Sequence, residues 1–112
     1  MAFLFVLLGG AIGSVLRYSA GLLLPSGTFV VNMIGSFLIG ILATMLPVGS
    51  PLRLLLITGF LGGFTTFSAF QWELVTASQN GLPLLAVLNA VASVILGFIF
   101  CWAGSALATM LK

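Results

Sequence analysis

The side chains in this sequence that can meet an ion are mostly neutral. Thr65, Thr66 and Ser68 follow the glycine pair Gly62-Gly63. Paired glycines cost a helix roughly 1 kcal/mol each relative to Ala, and threonine hydroxyls can bond locally in competition with the helical ladder. Two states satisfy that pattern. In one, a turn unwinds around Gly62 to Thr66; in the other, the helix is unbroken, the glycines admit a close neighbour and the hydroxyls bond to the preceding turn. A turn unwound at bilayer depth needs protein, water or an ion for its freed backbone groups, and carbonyls released in this way can hold a dehydrated cation.

Asn32 is followed by Ser36 and Gly40 at i+4 and i+8, so its amide shares a helix face with a hydroxyl and a small residue. An amide held there is either glue between helices or a donor to a passing anion. Asn89 poses the same choice, with Ser93, Gly97, Cys101, Ser105 and Thr109 following at four-residue steps. Phe67 and Phe70 share a face immediately after the stretch Gly62 to Thr66. An aromatic ring is positive at its rim, so rings presented edge-on attract an anion without carrying charge.

The charged residues are Arg17, Arg53, Lys112 and Glu73 and no others. Arg17 is costly to leave unpaired in hydrocarbon, so it snorkels, pairs with Glu73 or faces a watery vestibule. Glu73 can alternatively serve as a proton or cation site. Because neutral donors outnumber carboxylates, the inventory favours an anion over a metal or organic cation. The absence of His and the single Cys101 exclude a His/Cys metal site, a disulfide framework and a Cys/His nucleophile within one chain, which points away from an enzyme. A net charge of +2, scattered along the chain, gives no nucleic-acid footprint.

The elements that position these residues must sit in lipid. With 62% hydrophobic and 4% charged residues, the 112-residue chain cannot cover a water-soluble globule. Pro, Gly and Ser divide it into four apolar stretches, roughly 2 to 24, 28 to 46, 52 to 78 and 83 to 111. Each can cross a hydrocarbon core of about 30 Å, which takes about 20 helical residues. Met1 to Leu8 has no basic residue ahead of its apolar run and reads as part of the first span, not as a signal peptide. Gly9, Gly13, Arg17 and Gly21 recur at every fourth position and line one face of that span for close packing.

Short loops make neighbouring spans antiparallel and put both termini on one side. That side holds Arg53 and Lys112, and the other has only Arg17. A bias this small specifies orientation poorly, so the chain can insert both ways and pair with an inverted copy. Four thin helices enclose little interior, which places a solute pathway between two copies.

Three segments carry a resemblance over nearly the whole chain: Gly9-Gly10-Ala11-Ile12-Gly13-Ser14-Val15-Leu16-Arg17-Tyr18, Gly27-Thr28-Phe29-Val30-Val31-Asn32-Met33-Ile34-Gly35-Ser36-Phe37 and Gly62-Gly63-Phe64-Thr65-Thr66-Phe67-Ser68-Ala69-Phe70. In this order and spacing they resemble the Fluc (CrcB-type) fluoride channels. The resemblance implies an all-α integral membrane protein of four transmembrane helices, the third broken mid-membrane, in the inner membrane of a prokaryote. It also implies an antiparallel dual-topology dimer with two fluoride pathways, exporting fluoride passively and protecting the cytoplasm. A structural Na⁺ at the dimer centre would be held by the backbone carbonyls of Gly62 and Thr65. Phe67, Phe70 and Asn32 correspond to pore residues, Arg17 to an arginine near a vestibule, and Asn89 and Ser93 to a polar track. Two departures stand out: Asn89 takes the place of a frequent aromatic hydroxyl, and Ala69 that of a frequent threonine.

Fluoride is small and strongly hydrated, so a pore must replace its lost water with closely spaced donors of moderate strength. Asn32, Thr66, Ser68 and Ser93 are donors of that kind. A different reading is a dimeric proton-coupled exporter like the small multidrug resistance proteins, working through Glu73, although their essential carboxylate belongs to the first span, where this chain has none. A third is an accessory subunit whose polar stripes only hold helices together. The partner copy is the same chain or an oppositely oriented paralogue.

Overall fold

The computed structural model describes all 112 residues, which are helical apart from short connections and contain no strand. Three helices are continuous: α1 (Ala2–Leu23), α2 (Gly27–Met45) and α6 (Pro83–Leu111). The third apolar segment, Pro51–Gln79, is assembled from pieces. These are α3 (Pro51–Arg53), a π-helical stretch (Leu54–Leu61), α4 (Gly62–Phe64) and α5 (Ser68–Gln79).

All four segments are long and apolar enough to cross a membrane. Large side chains such as Phe3 and Leu7 on α1 and Val94 and Phe98 on α6 point outward. Such a surface suits lipid as solvent, since helices satisfy their own backbone and need no water. The protein is a multi-pass membrane protein.

Local chemistry sets the connections. Ser50 caps the start of the third segment by accepting the Arg53 N–H at 3.2 Å, and Pro51 occupies the first helical position, where its missing N–H costs nothing. After α5, Gly81 adopts a positive φ of 81° and the Leu82 N–H reaches back to the Ala77 carbonyl at 2.9 Å. This six-to-one closure ends a helix when glycine takes the left-handed position. Pro83 then begins α6.

The helices pack in pairs. α1 lies along residues 51–64, α2 lies along α6, and α5 also packs on α6, so the third segment changes partner where it breaks. Missing side chains make the first pairing close. A Cβ at Gly13 would lie 2.9 Å from the Phe64 nitrogen, and one at Gly63 would lie 2.5 Å from the Gly10 carbonyl oxygen and 2.9 Å from Ser14 Oγ. Gly40 and Gly104 make the equivalent backbone approach between α2 and α6, beside a Thr44–Ser105 hydroxyl pair at 2.8 Å. A Cβ at Gly21 would meet nothing within 4 Å, whereas one at Gly27, the first residue of α2, would lie 2.8 Å from the Gly21 Cα. Val31, Leu61 and Phe64 form the buried core, with the Phe60 and Phe64 rings stacked at 5.4 Å.

The sequence points to Gly62 to Thr66 for an unwound turn, but the glycine pair is helical. Gly62 donates its N–H to the Ile57 carbonyl in the wide π pattern, and the ladder lapses only at 65–67. Gly63 is held in helix by its fit against α1, so the break passes to the threonines.

Candidate ion site at the helix break

At the break, each backbone group that leaves the ladder meets a particular side chain or is left open. Thr65 closes the preceding helix with its N–H on the Leu61 carbonyl at 3.0 Å, and its hydroxyl donates to the same oxygen at 2.9 Å. Its backbone then turns extended, with φ −91° and ψ 158°. Thr66 begins the next helix, since its Oγ1 accepts the Ala69 N–H at 3.2 Å, an N-cap bond three residues ahead.

Asn32 of α2 grips the break from the side. Its Oδ1 accepts the Thr66 N–H at 2.9 Å and its Nδ2 donates to the Thr66 carbonyl at 3.1 Å. Flipping the amide would oppose donor to donor and oxygen to oxygen, so the two partners fix its orientation. The Asn32 amide is therefore a clamp between helices that keeps one further N–H free. From α1, Arg17 Nε donates to the Gly63 carbonyl at 3.0 Å. Arg17 thus takes a backbone carbonyl as partner within the chain, where the sequence offered Glu73, and Glu73 is exposed on α5.

This bonding leaves particular groups open. The Thr66 N–H that would complete the ladder onto the Gly62 carbonyl goes to Asn32, and the Ala69 N–H that would reach the Thr65 carbonyl goes to Thr66 Oγ1. Neither carbonyl has another backbone partner, and neither does the N–H of Phe67 just before α5.

Gly62, Thr65, Thr66, Phe67 and Asn32 line one groove of about 350 Å³, together with Gly35, Ser36 and the apolar Ile39, Ile57 and Leu61. None of the lining residues is charged. Ser36 is turned back onto the Asn32 carbonyl at 2.7 Å. The chain has no cluster of His, Cys, Asp or Glu able to hold a metal, so a cation in this groove would rest on neutral oxygens.

The remaining candidates are distributed around the groove. The Phe67 ring is exposed and the Phe70 ring buried, with centroids 6.1 Å apart and planes tilted by 56°. Ser68 is exposed, 3.5 Å from Thr66 Oγ1. Asn89 and Ser93 bond to each other on α6, Ser93 Oγ donating to Asn89 Oδ1 at 3.0 Å, and lie outside the groove lining. Sequence reasoning did not assign Gly35, Ile39, Ile57 or Leu61 to the site. Gly35 and Asn32 stand three apart on α2, a spacing that could have joined them.

The family model described as CrcB-like protein, Camphor Resistance (CrcB), matches residues 4–105. The chain belongs to this family. Among its CrcB-like relatives, a protein of Allorhizobium ampelinum named fluoride-specific ion channel FluC is 46% identical over 115 residues, 92% of each chain. A Hydrogenobaculum relative of the same name is 41% identical over 122 residues, 99% of this chain and all of its own. Staphylococcus saprophyticus has a relative named fluoride-specific ion channel FluC 2, 41% identical over 113 residues and 93% of each chain. The CrcB-like match contains nearly all of α1, α2, the whole broken segment and most of α6, so it includes every residue of the groove.

Proposed function

We propose that this chain is a subunit of a fluoride-selective channel that lets fluoride leave a prokaryotic cytoplasm passively. The observation that carries the reading is the break itself. It sits halfway along the 29-residue segment Pro51–Gln79, faces an uncharged groove, and is held open by Asn32. The names of its relatives, which cover nearly its full length, point the same way.

The chemistry suits a small, strongly hydrated anion. The free Asn32 N–H, the N–H of Phe67, the hydroxyls of Thr66 and Ser68 and the exposed rim of Phe67 are donors without full charge. Several moderate sites in series let an ion enter and still leave. Phe70, Asn89 and Ser93 extend the track beyond the groove. Arg17, with one nitrogen committed to Gly63, brings positive charge to the approach without standing in the path.

The conducting unit is an antiparallel pair of copies, homodimeric given the weak charge bias, with the break at the centre of the bilayer and of the pair. The open Gly62 and Thr65 carbonyls fit a monovalent cation, because they are neutral oxygens with no competing donor and no carboxylate lines the groove. A Na⁺ held by these two carbonyls would supply fixed positive charge at the break. An exporter working through Glu73 is not favoured, since that carboxylate lies outside the groove.

The test is reconstitution of the purified dimer in liposomes, with efflux followed by a fluoride electrode. Rapid fluoride loss is expected without chloride loss and without a proton gradient. No fluoride flux from folded dimer, or flux that requires a proton gradient, refutes the channel.

A further inference from the structure

We infer that Gly35 is a positioning residue, which by having no side chain fixes the direction of the Thr65 carbonyl. The inference rests on the sodium reading above and adds to it a residue that touches no ion. Gly35 is buried on α2, and a Cβ there would collide with the Thr65 methyl, Cγ2. Thr65 Cβ and Phe64 Cδ2 lie just beyond, at 3.7 and 3.8 Å. The methyl therefore fills the notch that the missing side chain leaves.

Two contacts lock the Thr65 side chain. Its hydroxyl is bound to the Leu61 carbonyl at 2.9 Å, and its methyl is seated on Gly35. A β-branched side chain with both branches engaged has no other rotamer without breaking one of them. The peptide that follows is locked as well. It is planar and trans, so the Thr65 C=O points opposite to the Thr66 N–H, and that N–H is held by Asn32 at 2.9 Å. Asn32 and Gly35 thus hold one peptide from one face of α2, the first by bonding and the second by space.

An alanine at position 35 must push the Thr65 methyl away. Threonine is short and its other branch is bonded, so it can yield only by giving up the Leu61 bond or by tilting the peptide. Either change turns the carbonyl. Removing the methyl instead, with Thr65→Ser, makes room for the alanine and keeps the hydroxyl.

The experiment is a double-mutant cycle of Gly35→Ala and Thr65→Ser in liposomes, reading the sodium concentration that gives half-maximal fluoride efflux. Gly21→Ala, which meets open space, controls for a glycine change in a helix. Gly35→Ala is expected to raise that concentration roughly tenfold or more, in line with the usual cost of overpacking. In the Thr65→Ser background the same change should shift it by less than about threefold. Equal shifts in both backgrounds overturn the inference. If efflux by the unaltered protein shows no sodium dependence, the sodium reading fails, and the cycle is then read in maximal efflux rate, where equal losses overturn the role of Gly35. If Gly35→Ala fails to assemble, assembly and conduction restored by Thr65→Ser support it, and failure of both variants overturns it.

Discussion

A helix stops in two comparable places in this protein, at the end of α2 and within the third segment. At the end of α2 one side chain does most of the work. Arg53 Nη1 donates to the carbonyls of Leu46 at 2.7 Å and Ala43 at 3.1 Å, a cation placed where a helix C-terminus is negative. Arg17 does the same for the Gly63 carbonyl, but there Asn32, Thr65 and Thr66 are also needed. On the proposed mid-membrane placement of the break, the two ends differ in solvent. A loop end has water for its remaining groups, whereas a break inside a span has only what the protein supplies. Even with those side chains in place, the carbonyls of Gly62 and Thr65 and the N–H of Phe67 keep no backbone partner.

The comparison breaks most readily at Asn32. Asn32→Leu keeps the branched shape and removes both bonds, leaving the N–H and C=O of Thr66 unpaired at a cost of about 1–3 kcal/mol each. Fluoride efflux should fall by more than about 100-fold, with earlier thermal loss of the folded protein. Asn32→Asp still accepts the Thr66 N–H but cannot donate to the carbonyl, so it should fall between the two. Efflux near the unaltered rate in Asn32→Leu would show that the break holds itself open.

Arg17→Leu comes next. It removes one charge-assisted bond, worth about 1–3 kcal/mol, and should cut efflux roughly tenfold. Arg17→Lys keeps charge at the approach but cannot reproduce the fixed fork of a guanidinium, so measuring both separates the bond to Gly63 from the charge. A lysine variant that conducts as well as the unaltered protein assigns the effect to charge alone.

Much of this was legible in the sequence, and the limits have physical causes. Four apolar helices follow from hydropathy and from Pro, Gly and Ser punctuation, because the bilayer imposes length and composition. The triplet Gly62, Thr65 and Thr66 could be singled out locally, since glycine and threonine disfavour helix. Which of them breaks it could not, because the fit of Gly63 against Gly10 and Ser14 depends on another helix. The π-helical stretch Leu54–Leu61 has no local signature, being an apolar run like any other. The choice between glue and donor at Asn32 was likewise a matter of tertiary distance: its partners are 34 residues away. Arg17 drew attention by its charge, but charge suggested Glu73, while a carbonyl released by a broken helix is invisible until the break is placed.

Gly63→Ala tests the packing that keeps the glycine pair helical. The added Cβ would press on the Gly10 carbonyl oxygen and on Ser14 and separate α1 from the third segment, at about 1–3 kcal/mol. The expected result is a lower unfolding temperature and an efflux loss smaller than that of Arg17→Leu. A stability equal to that of the unaltered protein would mean that the two helices do not need so close an approach.

The smallest effect belongs to the end of α2. Arg53→Leu removes bonds to two carbonyls that water can replace, so it should cost less than about 1 kcal/mol and leave most fluoride efflux intact. Its signature lies in orientation. With Arg53 gone, Lys112 faces Arg17 as one charge against one, and insertion in the two directions, read by labelling single cysteines from either side, should become more even. If Arg53→Leu instead loses efflux as severely as Arg17→Leu, the end of α2 depends on its arginine as the break does, and access to water does not separate the two sites.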